Sequence, residues 1–210
     1  MKLASYISTK AGYKGIGDFL IRVRLSGLAE ALHLYPYGGS KLRATHSELV
    51  FEPGDGVDHL MPDGTCEPDD NGALWCVSST GLDRLPSWSS RRAGKLGGVR
   101  FKRIVVDNPK KWSLCNIYDS DPLSAALIAK EYEGALYDWQ NISSFIAPFI
   151  PEKGDRYMCS EFVAKCLLIP NSSEYDPCEL QAYCQSLVQP DSKTIMLALK
   201  QFFSGVSNAD

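Results

Sequence analysis

No stretch of this sequence approaches the roughly 18 consecutive apolar residues that a membrane-spanning helix needs. The segment from Met1 to Gly17 alternates small, polar and aromatic residues. It lacks the apolar core of a secretory signal, so the chain is expected to stay in the cytoplasm. There is no excess of positive charge either. Lys and Arg number 22 against 25 Asp and Glu, a net charge of −3, which argues against a dedicated nucleic-acid binder with a basic face. The 7 cysteines include no Cys-x-x-Cys pair, and His33, His46 and His59 form no His-x-x-x-His pair. Spacing therefore gives no support for a zinc site, and neither a metal nor another cofactor is expected. An odd cysteine count without a leader also argues against a disulfide framework. Most of these thiols are expected to be reduced, buried and small-hydrophobic in role. Internal repeats and low-complexity tracts are absent as well.

What is present is an ordinary globular composition. The 210 residues are 44% hydrophobic and 22% charged, which fits one domain spanning residues 1–210. A chain of this length buries roughly 70% of its unfolded surface and needs no staple. Short strands are expected at Phe19 to Ile21, Thr45 to Phe51, Ala73 to Ser78 and Val99 to Val106, the last two flanking a polar, basic segment. Residues 52–72 are rich in Pro, Gly and Asp and read as a long loop. Helical spacing marks Leu25 to Leu34, and Asp121-Pro122 opens a helix expected to reach Leu136. Ser143 to Ile150 is a short apolar stretch. Cys159 to Leu168 is amphipathic and stops before Pro170. Asp176-Pro177-Cys178-Glu179 combines a cap, a first-turn Pro and an acidic third position, opening a helix to about Val188. A last helix is expected from Lys193 to Ser204. Strands followed by helices imply an α+β domain with an antiparallel sheet.

Two residues concentrate the chemistry. Cys159 falls in the first turn of an amphipathic helix. Helix N-termini offer unpaired N–H groups and partial positive charge, both of which favour a thiolate. The other cysteines lie within helices, within a strand or in loops. A cysteine nucleophile needs a base. His46 begins a strand whose alternation puts His46, Glu48 and Val50 on one side and Leu49 and Phe51 on the other. His33 and His59 are placed in a helix and a loop, less suited to a fixed geometry. The ordinary alternative is that Cys159 is a small buried residue and His46 a structural one.

The motifs Gly17-Asp18-Phe19-Leu20, Thr45-His46-Ser47-Glu48-Leu49 and Tyr157-Met158-Cys159-Ser160-Glu161-Phe162-Val163 occur in that order, histidine before cysteine. They are joined by Ser78-Ser79-Thr80, Gly97-Gly98-Val99-Arg100, Tyr137-Asp138-Trp139 and Asp176-Pro177-Cys178-Glu179-Leu180. Together they resemble the circularly permuted NlpC-type papain-like cysteine hydrolases, the group of the YiiX-like proteins and lecithin:retinol acyltransferase relatives. The length also fits phage-encoded members of that group. The resemblance implies a small antiparallel sheet or barrel packed on helices, Cys159 as nucleophile, His46 as general base, and acyl transfer through a thioester. It implies a peptide, peptidoglycan-like or modified-protein substrate.

That family also places a polar or acidic residue on the strand after the histidine strand, orienting the ring. The matching place here is Ser78. Glu48 offers a charge instead, on the His46 face at roughly 7 Å Cα to Cα. A cross-strand neighbour would lie nearer, at roughly 5 Å. Ser78 therefore has the better expected position and Glu48 the better chemistry, and both remain candidates with Cys159 and His46. Tyr137, Asp138 and Tyr157 are further residues that would lie near a cleft or in the core around it. The basic run Arg84, Arg91, Arg92, Lys95, Arg100, Lys102 and Arg103 reads as a solvated face, or as a patch for an acidic substrate. Two other functions compete with a hydrolase: an acyltransferase or thioesterase acting on lipid, and a non-catalytic binding protein on the same scaffold.

Overall fold

A computed structural model describes residues 1–7, 44–86, 92–118, 120–138 and 156–187. The expected strand at 19–21, the helices at 25–34 and 193–204 and the stretch at 143–150 lie outside those residues, as do Gly17-Asp18, Trp88, Arg91 and Trp139. A five-stranded antiparallel sheet organises the rest. In chain order its strands are β1 (Lys2–Ile7), β2 (Ala44–Phe51), β3 (Leu74–Arg84), β4 (Leu96–Ile104) and β5 (Trp112–Asn116). Their spatial order is β4-β3-β2-β1-β5. With the helices that cover it, the domain is α+β.

Alternation along β2, β3 and β4 sets two faces. Leu3, Leu49, Phe51, Val77, Val99 and Phe101 point to the helical side and form the main core. Complete burial of phenylalanines such as Phe51 and Phe101 contributes about 2–3 kcal/mol each. Ala4, Val50, Cys76 and Val106 make a smaller cluster on the other face. Two strands of this sheet, β1 and β5, were not anticipated. β1 lies between β2 and β5 and buries Leu3, Ala4 and Ser5 fully. Its small residues fit a strand packed on both sides, where bulk has no room, and so they carry little strand signal.

Among the described residues three α-helices cover the sheet: α1 (Pro122–Glu131), α2 (Cys159–Cys166) and α3 (Pro177–Ser186). Asp121 caps α1 by accepting from the Leu123 and Ser124 amides. Helix α1 ends at Glu131, five residues short of the expected Leu136. Gly134 turns the chain with φ +83°, and the following segment joins the free edge of β4. There Val99 N–H donates to the Ala135 carbonyl at 2.9 Å and Gly134 N–H to the Val99 carbonyl at 2.9 Å. A two-stranded parallel ribbon, β6 (Leu136–Tyr137) with β7 (Arg156–Tyr157), leads directly into α2. Asp176 and Glu179 close a reciprocal capping box on α3.

The loop after β2 is pinned at one end of the sheet. The Met1 ammonium group pairs with Asp55 at 2.6 Å, and Asp63 takes both Trp75 Nε1–H and Arg103. His46 lies five residues back along β2 from Phe51, about 17 Å away along the strand. No helix among the described residues is long and apolar enough to cross a membrane.

Candidate active site

Helix α2 holds its first residue in place through its apolar face. Phe162, Val163, Ala164 and Cys166 are buried against the sheet. Tyr157, just before the helix, packs edge-on against Tyr132 and Phe162. It belongs to the core rather than to a cleft. Met158 has extended backbone at the N-cap and donates its amide to Glu161 at 3.1 Å. Cys159 is then the first helical residue, only 5% exposed.

The end of α2 meets the start of β2. His46 hydrogen-bonds the Cys159 sulfur, and the backbone of Ser47 and of Ser160 also bonds to it. The His46 Nε2 lies 2.7 Å from Glu48 Oε1. A buried carboxylate accepts, so Nε2 carries the hydrogen and Nδ1 is the nitrogen left for the sulfur.

Burial opposes charge on all three groups, and their mutual contacts outweigh it. For Cys159 the positive charge and hydrogen bond of His46, with the backbone bonds, lower the thiol below its ordinary value. For His46 the charges of Cys159 and Glu48 push the ring up to about 10. For Glu48 the Arg100 guanidinium, then His46, brings the carboxyl down to about 2. The directions of the shifts favour a thiolate beside an imidazolium, backed by a carboxylate. The buried cysteines that the His46 ring does not reach go the other way. Burial pushes Cys66 up to about 11, Cys184 up to about 12, and Cys76 and Cys166 well up.

Of the two candidates for orienting the ring, Glu48 makes the contact and Ser78 does not. The Ser78 hydroxyl donates to the Ser47 carbonyl at 2.6 Å and lies 3.2 Å from the Ser79 carbonyl. The reason is side-chain reach. A glutamate can bend back along its own strand to a residue two positions away, whereas a serine across the strand is too short. Ser78 instead occupies the middle of a row. It pairs with Arg100 on β4, and continuing the β2–β3 register from Leu49 opposite Val77 sets it opposite Glu48.

Arg100 is the functional residue missed by the sequence reading. It is 2% exposed, and its Nη1 and Nη2 donate to Glu48 Oε2 at 2.9 Å and Oε1 at 2.6 Å. Nη2 also lies 3.3 Å from Asp83 Oδ2, which Lys102 approaches at 2.9 Å. The basic run is thus dispersed among the described residues. Arg84 and Arg92 bond backbone carbonyls, and Arg103 binds Asp63 over the Trp75 ring. The alternation of β4, with Val99 and Phe101 on one face and Arg100 and Lys102 on the other, is readable in the sequence; the partner is not, because Glu48 comes beside Arg100 only through the register of β2, β3 and β4.

Tyr137 stands close enough to Cys159 to feel its charge. Burial and the neighbouring Cys159 and Asp138 push its hydroxyl well up. Asp138 is buried and donates its amide to the Tyr157 carbonyl at 3.2 Å. Comparisons with protein-family models, with curated proteins and with solved structures gave no match to this chain.

Proposed function

We propose that the protein is a cysteine hydrolase that cleaves an amide, peptide or isopeptide bond through a thioester on Cys159. One observation carries this reading: a cysteine at a helix N-terminus in hydrogen-bond contact with a histidine whose far nitrogen is held by a buried carboxylate. That is the arrangement a thiol nucleophile requires. The chain order, histidine strand before nucleophile helix, supports a circularly permuted papain-like fold.

The Cys159 thiolate attacks the substrate carbonyl carbon, and the carbonyl π-electrons move to oxygen. First-turn amides of α2, which have no partner within the helix, receive that oxyanion. Collapse re-forms the carbonyl and breaks the C–N bond, and the imidazolium of His46 gives its proton to the departing amine. Neutral His46 then takes a proton from water, the hydroxide attacks the thioester, and the carboxylic acid leaves as the thiolate re-forms. With the pair charged, His46 acts first as an acid, and it serves as a base only in deacylation.

The experiment is alkylation of Cys159 by iodoacetamide across pH, with mass spectrometry resolving the cysteines, followed by a panel of peptide, isopeptide and lipid-ester substrates. Fast alkylation below neutral pH, slowed in His46→Ala, with turnover of an amide substrate, is the expected result. An ordinary thiol profile overturns the catalytic reading. Turnover of lipid esters alone replaces the hydrolase with an acyltransferase or thioesterase.

A further inference from the structure

A glutamate buried as completely as Glu48 does not stay ionised unaided, because the charged form loses its hydration. If it took up a proton it would still be a hydrogen-bond partner for His46, but it would no longer hold an imidazolium by charge. The side chain that prevents this reaches it from β4. Arg100 spans the middle strand over Ser78 and binds both oxygens of Glu48 with its two terminal nitrogens. A planar fork of this kind fixes the plane of the carboxylate as well as its position. With Oε2 taken by Nη1, Oε1 is shared between Nη2 and the His46 ring. The carboxylate is thereby aimed at the imidazole.

We infer that Arg100, held from outside by Asp83, is a positioning residue that keeps Glu48 ionised and aimed at His46. This rests on the Cys159–His46 reading above. The charges alternate outward from the sulfur: Cys159 negative, His46 positive, Glu48 negative, Arg100 positive, Asp83 negative and Lys102 positive. Asp83 binds Arg100 and offsets part of its charge, so the guanidinium orients Glu48 without cancelling its hold on His46. The remaining titratable neighbour is Cys76 on β3, which faces both Glu48 and Arg100 and stays a neutral thiol through burial and the Glu48 charge. No other charged side chain among the described residues hydrogen-bonds or ion-pairs with this carboxylate.

The test has two readouts on the full chain: the pH midpoint of Cys159 alkylation by iodoacetamide, and the His46 titration followed by carbon-13 NMR of the ring. In Arg100→Gln, Glu48 takes up a proton near neutral pH. The acid midpoint of alkylation should rise by about one pH unit or more, and the His46 midpoint should fall with it. Arg100→Lys keeps a charge but not the fork and should fall between. Arg100→Gln strands a buried carboxylate, so a second variant guards against loss of the fold. The double variant Arg100→Gln with Glu48→Gln removes both charges, and its shifts in both midpoints should be smaller than the sum of the two single variants, since the two residues act on His46 as a pair. Folded Arg100 variants with wild-type midpoints, or a double variant whose shifts are the sum of the singles, would overturn the inference. A wild-type Cys159 that alkylates like an ordinary thiol sinks the hydrolase reading instead. The His46 titration then still decides the role of Arg100.

Discussion

Arg100 reaches across Ser78 to hold both carboxylate oxygens of Glu48, at 2.9 and 2.6 Å. The pairing requires a small residue on the strand between them. Ser78 is fully buried, so a larger side chain there has no way to turn outward. Ser78→Val should push the guanidinium off Glu48 and slow Cys159 alkylation at pH 6 by about tenfold or more, the effect of losing about 1.4 kcal/mol of thiolate stabilisation. Ser78→Ala keeps the gap and loses one hydrogen bond to the Ser47 carbonyl, costing about 1 kcal/mol of stability with the alkylation rate retained. If the alanine variant lost thiolate reactivity and stayed folded, Ser78 would have a direct role that its geometry does not give it.

Removing Glu48 and neutralising it should differ sharply. Glu48→Ala leaves Arg100 buried with half its partners gone, and losses of about 3–5 kcal/mol are typical when one member of a buried pair is removed. Glu48→Gln retains one acceptor oxygen and the shape, so it should be milder. Urea denaturation of both variants checks the order. Equal stabilities would mean that the guanidinium finds water or another acceptor and that the pair is not needed for the fold.

The pH dependence follows from the directions of the three shifts. His46 is raised from 6.5 to about 10, so its stabilising contribution is complete below about 6.5 and is lost as pH rises through about 10. Glu48 is lowered from 4.5 to about 2, so its contribution is complete above about 4.5 and is lost as pH falls through about 2. Cys159 is lowered from 9.0, so its contribution is present above that value and is lost as pH falls through the lowered one. The thiolate–imidazolium form therefore has its acid limb set by Cys159 and its alkaline limb by His46. Thermal denaturation of the wild type and His46→Gln should show a gap in Tm that narrows steadily between pH 6.5 and 10. A gap that widened over that range would mean that His46 is neutral in the folded protein.

The parts of this site that were legible in the sequence are the ones encoded locally. Cys159 is marked by the helical period of the residues after it, and His46 and Glu48 by alternation along a single strand. The choice between Glu48 and Ser78 stayed open in the sequence because backbone spacing favoured Ser78, whereas side-chain reach is what brings Glu48 to His46. Arg100 was hidden for a different reason. It is distant in sequence from Glu48, and its role exists only once β3 fixes the register between β2 and β4. The segment 1–7 was hidden because Ala4 and Ser5 are chosen for fit between neighbouring strands rather than for strand propensity. The overlong α1 had its stop signal in Gly134, but Leu136 continues the apolar period and masks it. What ends the helix is the pairing of Val99 with residues 134–135, a contact between distant segments.

That pairing predicts the last outcome. A Cβ on Gly98 would lie 2.3 Å from the Ala135 carbonyl oxygen, and both the oxygen and the glycine belong to hydrogen-bonded backbone. Neither can move without breaking the Val99–Ala135 bond, and φ at Gly98 is +135°, where other residues are strained. Gly98→Ala should therefore cost about 2 kcal/mol or more and carry residues 134–137 away from β4. Tyr137, which the site brings beside Cys159, would move with them and change the alkylation rate of the thiol. Gly94→Ala is the matched control: its φ is +69°, and a Cβ there meets nothing within 4 Å. It should cost about 1 kcal/mol from strain alone and leave Cys159 reactivity unchanged. If urea denaturation and alkylation gave the same values for both variants, the close approach at Gly98 would not be what seats the 134–137 segment, and the position of Tyr137 would have to be set by its pairing with Tyr157 instead.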